Sequence, residues 1–150
     1  MDKSLKILLV ASEAVPFAKV GGLADVAGAL PKALRQLGHD AKLALPRYGR
    51  INEAEFGLTE VLEPLPVPVG SDYESASISE SVVEGMPAYL VGNDRYFGRE
   101  EVYGYDDDGE RFVFFCRAYI KDRSMANRWI KFIVLKFKLI ILVVKFIIVQ

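Results

Sequence analysis

The chain has 150 residues, of which 51% are hydrophobic and 26% are charged, and its formal net charge at pH 7 is −1. A chain of this length fits one domain with a buried core. It contains one histidine and one cysteine, which excludes an internal disulfide and argues against a metal site built from these residues.

The charges are unevenly distributed along the chain. Residues 1–120 contain 12 basic and 19 acidic side chains, whereas residues 121–150 contain 7 basic side chains and 1 acidic one. Every glycine and every proline lies at or before residue 109. This change of composition predicts two segments, a domain over residues 1–120 and an atypical basic, apolar tail over residues 121–150.

The first elements follow a strand–helix–strand pattern. Leu5–Ala11 is almost continuously apolar, which predicts a strand buried on both faces of a parallel sheet. Helical spacing predicts a helix from about Leu23 to Leu37, which Gly38 ends. Ala41–Pro46 is predicted to be the second strand, so the unit is a right-handed βαβ crossover. The residues of this helix that we expect to face the sheet are Val26, Leu30, Ala33, Leu34 and Leu37.

The middle of the chain contains strand and hairpin signals. Prolines alternate within Leu58–Val69, which argues against a central strand there. Ser75–Val83 and Met86–Val91 are predicted to form a hairpin that turns at Glu84-Gly85.

The last part of the chain is a helical segment followed by the tail. Gly109–Tyr119 has helical character, and Cys116 lies in an apolar run that predicts its burial. Each lysine at the centre of a membrane span costs ~2.5–3.5 kcal/mol, so the lysines of the tail argue against a transmembrane helix. A basic helix on a membrane surface is an alternative. We expect the tail to be foreign to the fold.

Two glycines and a lysine lie between the first strand and the helix. Glycine lets backbone N–H groups approach a ligand closely, and the first N–H groups of a helix lack internal partners and carry partial positive charge. Lys19 adds a full charge beside Gly21 and Gly22. These features predict an anion site at the first βα turn. The alternative is a tight turn beside a solvated lysine, and neither the P-loop nor the dinucleotide-binding pattern occurs.

The string around these residues resembles the N-terminus of bacterial glycogen synthases and plant starch synthases. The resemblance covers roughly residues 5 to 118, and its most specific part is the K-x-G-G-L-x-D element. The segments that carry it are Ser12-Glu13-Ala14-Val15-Pro16-Phe17-Ala18-Lys19-Val20-Gly21-Gly22-Leu23-Ala24-Asp25-Val26, Gly28-Ala29-Leu30-Pro31-Lys32-Ala33-Leu34, Leu37-Gly38-His39-Asp40, Leu45-Pro46-Arg47-Tyr48, Tyr103-Gly104-Tyr105-Asp106-Asp107 and Glu110-Arg111-Phe112.

The resemblance implies a fold and an activity. Enzymes of this family transfer glucose from ADP-glucose to the non-reducing end of an α-1,4-glucan, with retention of configuration and without a metal. Their GT-B fold has two Rossmann-like halves that face each other across a cleft. We therefore expect an α/β fold, part of the N-terminal half, with a mostly parallel sheet and a β-hairpin insertion. Since a cleft needs two walls, this chain alone is expected to be inactive or nearly so.

The resemblance also implies roles for individual residues. Lys19 is expected to contact ADP-glucose, and Gly21 and Gly22 are expected to lie near its phosphates and sugar. Asp25 is expected to act near the glucose and the acceptor, as the catalytic residue. The alternative for Asp25 is a first-turn aspartate that stabilises the helix by ~0.3–1 kcal/mol.

Three further positions have open or softer assignments. Glu13 lies at the end of the first strand, where ligand sites form in α/β sheets; it either binds substrate or satisfies backbone groups of the loop. Tyr103 matches a tyrosine that lines the cleft of the family, and Tyr105 is the rival for that match. Arg111 is expected to form an ion pair with one of the acids at 106–108.

The expected partners are ADP-glucose and an α-1,4-glucan, with no nucleic acid, no cofactor, and no membrane apart from an effect of the tail. The N-terminus lacks a signal-peptide pattern and the single cysteine suits a reducing compartment, which predicts a cytoplasmic protein. Two alternatives remain. One is a related glycosyltransferase that uses another sugar nucleotide, and the other is a non-catalytic glucan- or membrane-associated protein, which the tail would favour.

Overall fold

A computed structural model describes residues 4–121 and 131–135 of the chain. Within these ranges the chain forms six strands and three helices. In chain order they are β1 (Lys6–Ala11), α1 (Gly22–Gln36), β2 (Asp40–Pro46), β3 (Thr59–Val69), β4 (Asp72–Val83), β5 (Met86–Gly92), α2 (Asp94–Phe97), α3 (Asp108–Lys121) and β6 (Lys131–Leu135).

The described strands form one sheet in the order β3-β4-β5-β2-β1-β6. β1 pairs in parallel with β2 and β6, and β2 pairs in parallel with β5. β3, β4 and β5 pair antiparallel in succession. The leucines at the centre of β1 and β2 are fully buried, as expected for strands covered on both faces. The predicted fold, a mostly parallel α/β sheet with a hairpin insertion, is confirmed.

The proline-rich segment forms β3, at one edge of the described sheet. Proline has no N–H group to donate to a neighbouring strand, so it is confined to edge strands and irregular positions. The pairing of β3 with β4 also shifts register on both sides of Leu62. The prediction that this segment is not a central strand is confirmed.

The predicted hairpin is also confirmed. β4 and β5 are joined at Glu84 and Gly85, whose φ angles are 50° and 74°. Positive φ at both central residues is the type I′ turn, whose twist matches that of the flanking strands.

The buried face of α1 differs from the predicted one. It consists of four compact residues at helical spacing, Ala24, Ala27, Gly28 and Pro31. Of the five residues expected to face the sheet, only Leu30 packs partly against the core and Leu34 is half-buried. Val26, Ala33 and Leu37 are exposed, and 74% of the surface of Leu37 is accessible. This part of the prediction was wrong.

The reason for the compact face is the loop that follows β1. The Val15 N–H donates to the Ala24 carbonyl at 3.0 Å. A Cβ atom on Gly28 would lie 2.4 Å from Val15 Cγ2 and 2.6 Å from the Val15 carbonyl oxygen. The loop therefore passes so close to the helix that a larger side chain at this position meets backbone atoms.

The helix predicted at Gly109–Tyr119 is confirmed as α3, but the prediction for Cys116 was wrong. The helix buries residues at helical spacing, which are Arg111, Phe114, Phe115, Ala118 and Tyr119. Cys116 lies outside this stripe and is exposed. The side chains of consecutive residues point in all directions around a helix. An uninterrupted apolar run therefore does not show which of its residues are buried.

Most of the tail predicted over residues 121–150 lies outside the described residues. Its described part, β6, pairs with β1 from Ile7↔Lys131 to Ala11↔Leu135. The expectation that the tail is foreign to the fold stays a prediction. Among the described residues, no helix has the length and apolar character that crossing a membrane would need.

Candidate functional site

The candidate site lies where β1 ends and α1 begins, at residues Lys19–Gly22, which we term the glycine loop. Gly21 precedes the helix with an extended backbone, and Gly22 is the first helical residue. Among the described residues, no side chain caps this helix start. Lys19 and Gly22 are exposed. The loop therefore presents a cation and the start of a helix to solvent, which is the placement predicted for an anion site.

Lys19 and Asp25 form an ion pair beside the helix start. Lys19 Nζ lies 2.7 Å from Asp25 Oδ1, and the two side chains are 54% and 55% exposed. A pair this exposed contributes at most about 1 kcal/mol, because water screens it. Asp25 also lies in the first turn of α1, which is the position of a helix-stabilising aspartate. Its role near the glucose and the acceptor stays a prediction.

Glu13 is buried beneath the glycine loop, with 3% of its surface exposed. Its Oε2 accepts hydrogen bonds from the N–H groups of Val20 at 2.6 Å and Gly21 at 2.9 Å. Of the two roles left open for Glu13, the structure shows the second, which is to satisfy backbone groups of the loop. The Gly21 N–H is thus directed at Glu13, while Gly22 opens the helix.

The structure brings Tyr103 to this cluster and leaves Tyr105 outside it. The Tyr103 hydroxyl lies 2.6 Å from Ser12 Oγ and donates to Glu13 Oε1 at 3.3 Å. Burial is the main cause that raises the pKa of Tyr103 to about 12, and the nearby Glu13 carboxylate adds to it. The Tyr105 hydroxyl instead accepts from the Glu101 N–H at 3.1 Å. Of the two tyrosines considered, Tyr103 is therefore the one that contacts Glu13, and its role in lining a cleft stays a prediction.

Sequence reasoning missed Tyr48 as a member of this cluster. Its hydroxyl donates to the Ser12 carbonyl at 2.5 Å, and it is 1% exposed. Burial raises the pKa of Tyr48 well above its ordinary value of 10, with Tyr103 and Glu13 adding to the shift and Arg111 opposing it. A signal was present, because Tyr48 follows β2, and the carboxyl ends of adjacent parallel strands meet at one edge of a sheet.

The acidic run at 106–108 is engaged in ion pairs and a turn. Asp107 accepts two hydrogen bonds from the Arg99 guanidinium, each of 2.6 Å, which lower the pKa of Asp107. Asp108 lies 3.5 Å from Arg111 Nη1, so the predicted ion pair of Arg111 is confirmed. Over residues 4–121 and 131–135, no group of three or more His, Cys, Asp or Glu side chains is arranged to hold a metal ion.

Comparison with known proteins assigns the chain to a family. The family model "Starch synthase catalytic domain" matches residues 6–134 of the chain. The chain belongs to the starch synthase catalytic domain family. The resemblance found in the sequence is thereby confirmed.

The relatives within the starch synthase family include bacterial glycogen synthases. The chain is 46% identical over 135 residues to the glycogen synthase of Moorella thermoacetica, covering 88% of this chain and 26% of that protein. It is 47% identical over 116 residues to the glycogen synthase of Anoxybacillus flavithermus, covering 77% of this chain and 24% of that protein. This member of the family therefore spans about a quarter of the length of these relatives.

A solved structure from the starch synthase family has the same fold. The chain is similar to the catalytic domain of Starch Synthase IV from Arabidopsis thaliana, which was solved bound to ADP and acarbose. The TM-score is 0.71 at 32% sequence identity, and the match covers 77% of this chain and 24% of that one.

Proposed function

We propose that this chain supplies part of the N-terminal half of an ADP-glucose-dependent glycogen (starch) synthase. Such an enzyme transfers glucose from ADP-glucose to the non-reducing end of an α-1,4-glucan with retention of configuration. The observation that carries the proposal is the exposed glycine loop at the start of α1, in a chain that is 46% identical over 135 residues to a glycogen synthase. In this proposal residues 1–120 are the incomplete catalytic domain, and residues 121–150 are an atypical tail.

The chemistry of the reaction explains why such a loop is useful. Breaking the bond between glucose and the diphosphate leaves growing negative charge on the leaving group. Donors and cations that are already in place where this charge develops lower the barrier. Lys19 offers a full positive charge, and the N–H groups at the start of α1 offer partial ones.

Each residue of the site has a proposed part in this reaction. Lys19 binds the diphosphate, and the absence of side chains at Gly21 and Gly22 lets the phosphates and the sugar approach the backbone. Asp25 holds the Lys19 ammonium before the donor arrives and acts near the glucose and the acceptor afterwards. The partly buried Tyr103 and the buried Glu13 are proposed to bind substrate from beneath the loop, in addition to the support that they give to it.

The proposed partners are ADP-glucose and an α-1,4-glucan. The ADP and acarbose bound to the Arabidopsis thaliana Starch Synthase IV domain support a nucleotide and a glucan as ligands. The proposed location is the cytoplasm, where a reducing environment suits a chain with a single cysteine.

The proposal is tested in a chimera of full length. Residues 6–120 of this chain replace the matching segment of the Moorella thermoacetica glycogen synthase, and transfer of glucose from ADP-glucose to glycogen is measured. The chimera is expected to be active. Lys19→Ala should then lower kcat/KM for ADP-glucose by about ten- to a hundredfold, the loss expected for one charge-assisted contact with the donor.

Lys32→Ala is the matched control for this test. Lys32 lies on the same helix but pairs with Glu84 of the hairpin turn, at 2.5 Å. Its substitution should leave kcat/KM close to that of the parent chimera. An unchanged kcat/KM in Lys19→Ala would contradict the proposal, and so would a chimera that folds and transfers no glucose.

A further inference from the structure

We infer that Arg111 is a positioning residue for the glycine loop. It holds the backbone beside Tyr103, and through Tyr103 and Glu13 it sets the positions of the Val20 and Gly21 N–H groups. The inference rests on the proposed function, because it names a residue that acts on the same site from a distance.

Burying the guanidinium of Arg111 carries a large cost in desolvation free energy. Its side chain is fully inaccessible to solvent, and its carboxylate partner Asp108 lies at 3.5 Å, which is a long contact. Within the described part of the chain, Nε and Nη1 of Arg111 have no hydrogen-bond partner. An apolar side chain of similar volume often replaces such a buried charge without loss of stability. Stability alone therefore does not explain a guanidinium here.

Aromatic rings surround the guanidinium and fix its place. The cation lies within cation–π distance of four ring centroids. The distances from Arg111 Cζ are 5.8 Å to Tyr48, 5.3 Å to Phe97, 5.0 Å to Tyr105 and 5.1 Å to Phe112. One of these rings also reaches the site, because the Tyr48 hydroxyl donates to the Ser12 carbonyl.

The first turn of α3 grips the backbone on both sides of Tyr103. Arg111 Nη2 donates to the carbonyl of Val102 at 3.1 Å. Asp108 Oδ2 accepts from the N–H of Gly104 at 2.8 Å, and Gly104 has a φ of 102°, which suits glycine. The two contacts fix the peptide units that immediately precede and follow Tyr103.

The side chain of Tyr103 connects this backbone segment to the glycine loop. Its hydroxyl contacts Ser12 Oγ and Glu13 Oε1, and Glu13 Oε2 accepts from the N–H groups of Val20 and Gly21. Hydrogen bonds, joined by the backbone and side chain of Tyr103, therefore connect Arg111 to the glycine loop.

The test compares Arg111→Met and Arg111→Lys in the full 150-residue chain, by NMR of the Val20 and Gly21 amides and of the tyrosine rings. Arg111→Met removes the donor to Val102 but keeps the volume. It should shift both amide resonances and the ring resonances of Tyr103, because the Val102 carbonyl loses its donor. Arg111→Lys keeps a donor and should restore the wild-type amide positions. Arg117→Met, at an exposed position of the same helix, is the control and should change neither signal.

Unchanged Val20 and Gly21 amides in a folded Arg111→Met chain would overturn the inference. If that variant does not fold, Tyr103→Phe replaces it, since it removes the hydroxyl that contacts Glu13 and keeps the ring. The Val20 and Gly21 amides should shift in Tyr103→Phe as well, and their constancy would overturn the inference equally.

Activity separates this inference from the proposed function. In the active chimera, Arg111→Met should lower kcat/KM for ADP-glucose about tenfold and leave KM for glycogen unchanged, about the cost of one misplaced hydrogen bond. The NMR measurements need no donor, so they can fail while the chimera still transfers glucose. If they succeed while the chimera is inactive, only the proposed function is overturned.

Discussion

The shape of the glycine loop depends on one buried carboxylate. Glu13 is almost fully inaccessible, yet it accepts two backbone N–H groups and the Tyr103 hydroxyl. Hydrogen bonds to a charged acceptor are shorter and stronger than neutral ones, which offsets the cost of burying the charge. The loop is thus held from beneath, and its outer side remains open to solvent.

The substitution Glu13→Gln tests whether the Glu13 carboxylate supports the glycine loop. The amide keeps the shape of the side chain but loses the charge, so the free energy of unfolding should fall by about 1–3 kcal/mol. Urea denaturation of the 150-residue chain measures the change. Glu100→Gln, at an exposed position, is the control and should have little effect. Equal stabilities of the two variants would refute the structural role of Glu13.

A second residue-scale prediction concerns the Arg99–Asp107 pair and pH. Arg99 lowers the pKa of Asp107 from its ordinary value of 3.8, so the pair stabilises the fold above that pH. The stabilisation is lost as the pH falls through the lowered pKa, because the protonated side chain no longer pairs. Asp107→Asn should therefore cost about 0.5–1 kcal/mol at pH 7 and progressively less below pH 3.8.

Urea denaturation of the wild type and of Asp107→Asn at pH 7 and at pH 3 measures whether the difference in stability between them becomes smaller at low pH. Asp106→Asn, at the neighbouring exposed position, should remain close to wild type at both pH values. A cost for Asp107→Asn that is the same at both values would show that the pair does not titrate as described.

At the scale of the element, α1 shows how a loop selects the face of a helix. Four compact residues face the core, while Val26 and Leu37 face solvent. Helical periodicity allows both faces, and hydrophobicity favours the larger residues. The close passage of the loop at Val15 reverses that preference, because only a small side chain fits beneath it.

Gly28→Ala tests this packing. The expected change in stability is opposite in sign to the change that helix propensity predicts. Alanine is the better helix former by about 1 kcal/mol, but its Cβ would meet the Val15 carbonyl oxygen at 2.6 Å. Overpacking of this kind costs about 1–3 kcal/mol, so the variant should be less stable than wild type in thermal or urea unfolding.

Gly109→Ala is the matched helix substitution, in α3. A Cβ there meets no atom within 4 Å among the described residues, so the variant should be as stable as wild type or slightly more stable. If both alanines stabilise the chain, the close contact between α1 and the loop is not as described.

At the scale of the molecule, the glycine loop lies in a chain that spans about a quarter of its relatives' length. A donor bound at an open turn is exposed to water, and exposed charge–charge contacts are weak. The proposed transfer needs a second surface that excludes water and supplies further contacts to the nucleotide.

The 150-residue chain alone is therefore expected to transfer no measurable glucose from radiolabelled ADP-glucose to glycogen, whereas the chimera transfers it under the same conditions. The Moorella thermoacetica enzyme serves as the positive control. Transfer by the isolated chain at the rate of the chimera would show that glucose transfer does not need a second surface.

Much of the fold was predictable because its signals are local. The predicted first strand, Leu5–Ala11, differs from β1 by one residue, and the hairpin turns at the predicted pair, Glu84 and Gly85. The exposure of Cys116 was not predictable, because it depends on which side of α3 meets the sheet. Within the site, Lys19 and the two glycines were identified from adjacent residues, whereas Tyr48 and Ser12 meet only after β1 and β2 have paired.

The sequence by itself determined the order of β1, α1, β2, the hairpin and α3, the position of the cationic turn and the family of the chain. Each of these depends on residues that are neighbours along the backbone. Only the tertiary structure decided which face of α1 is buried and how the loop is supported. Glu13 is 90 residues from Tyr103 in the chain, and the fold brings the two side chains together. Such contacts depend on distances across the fold, which residue spacing along the chain does not specify.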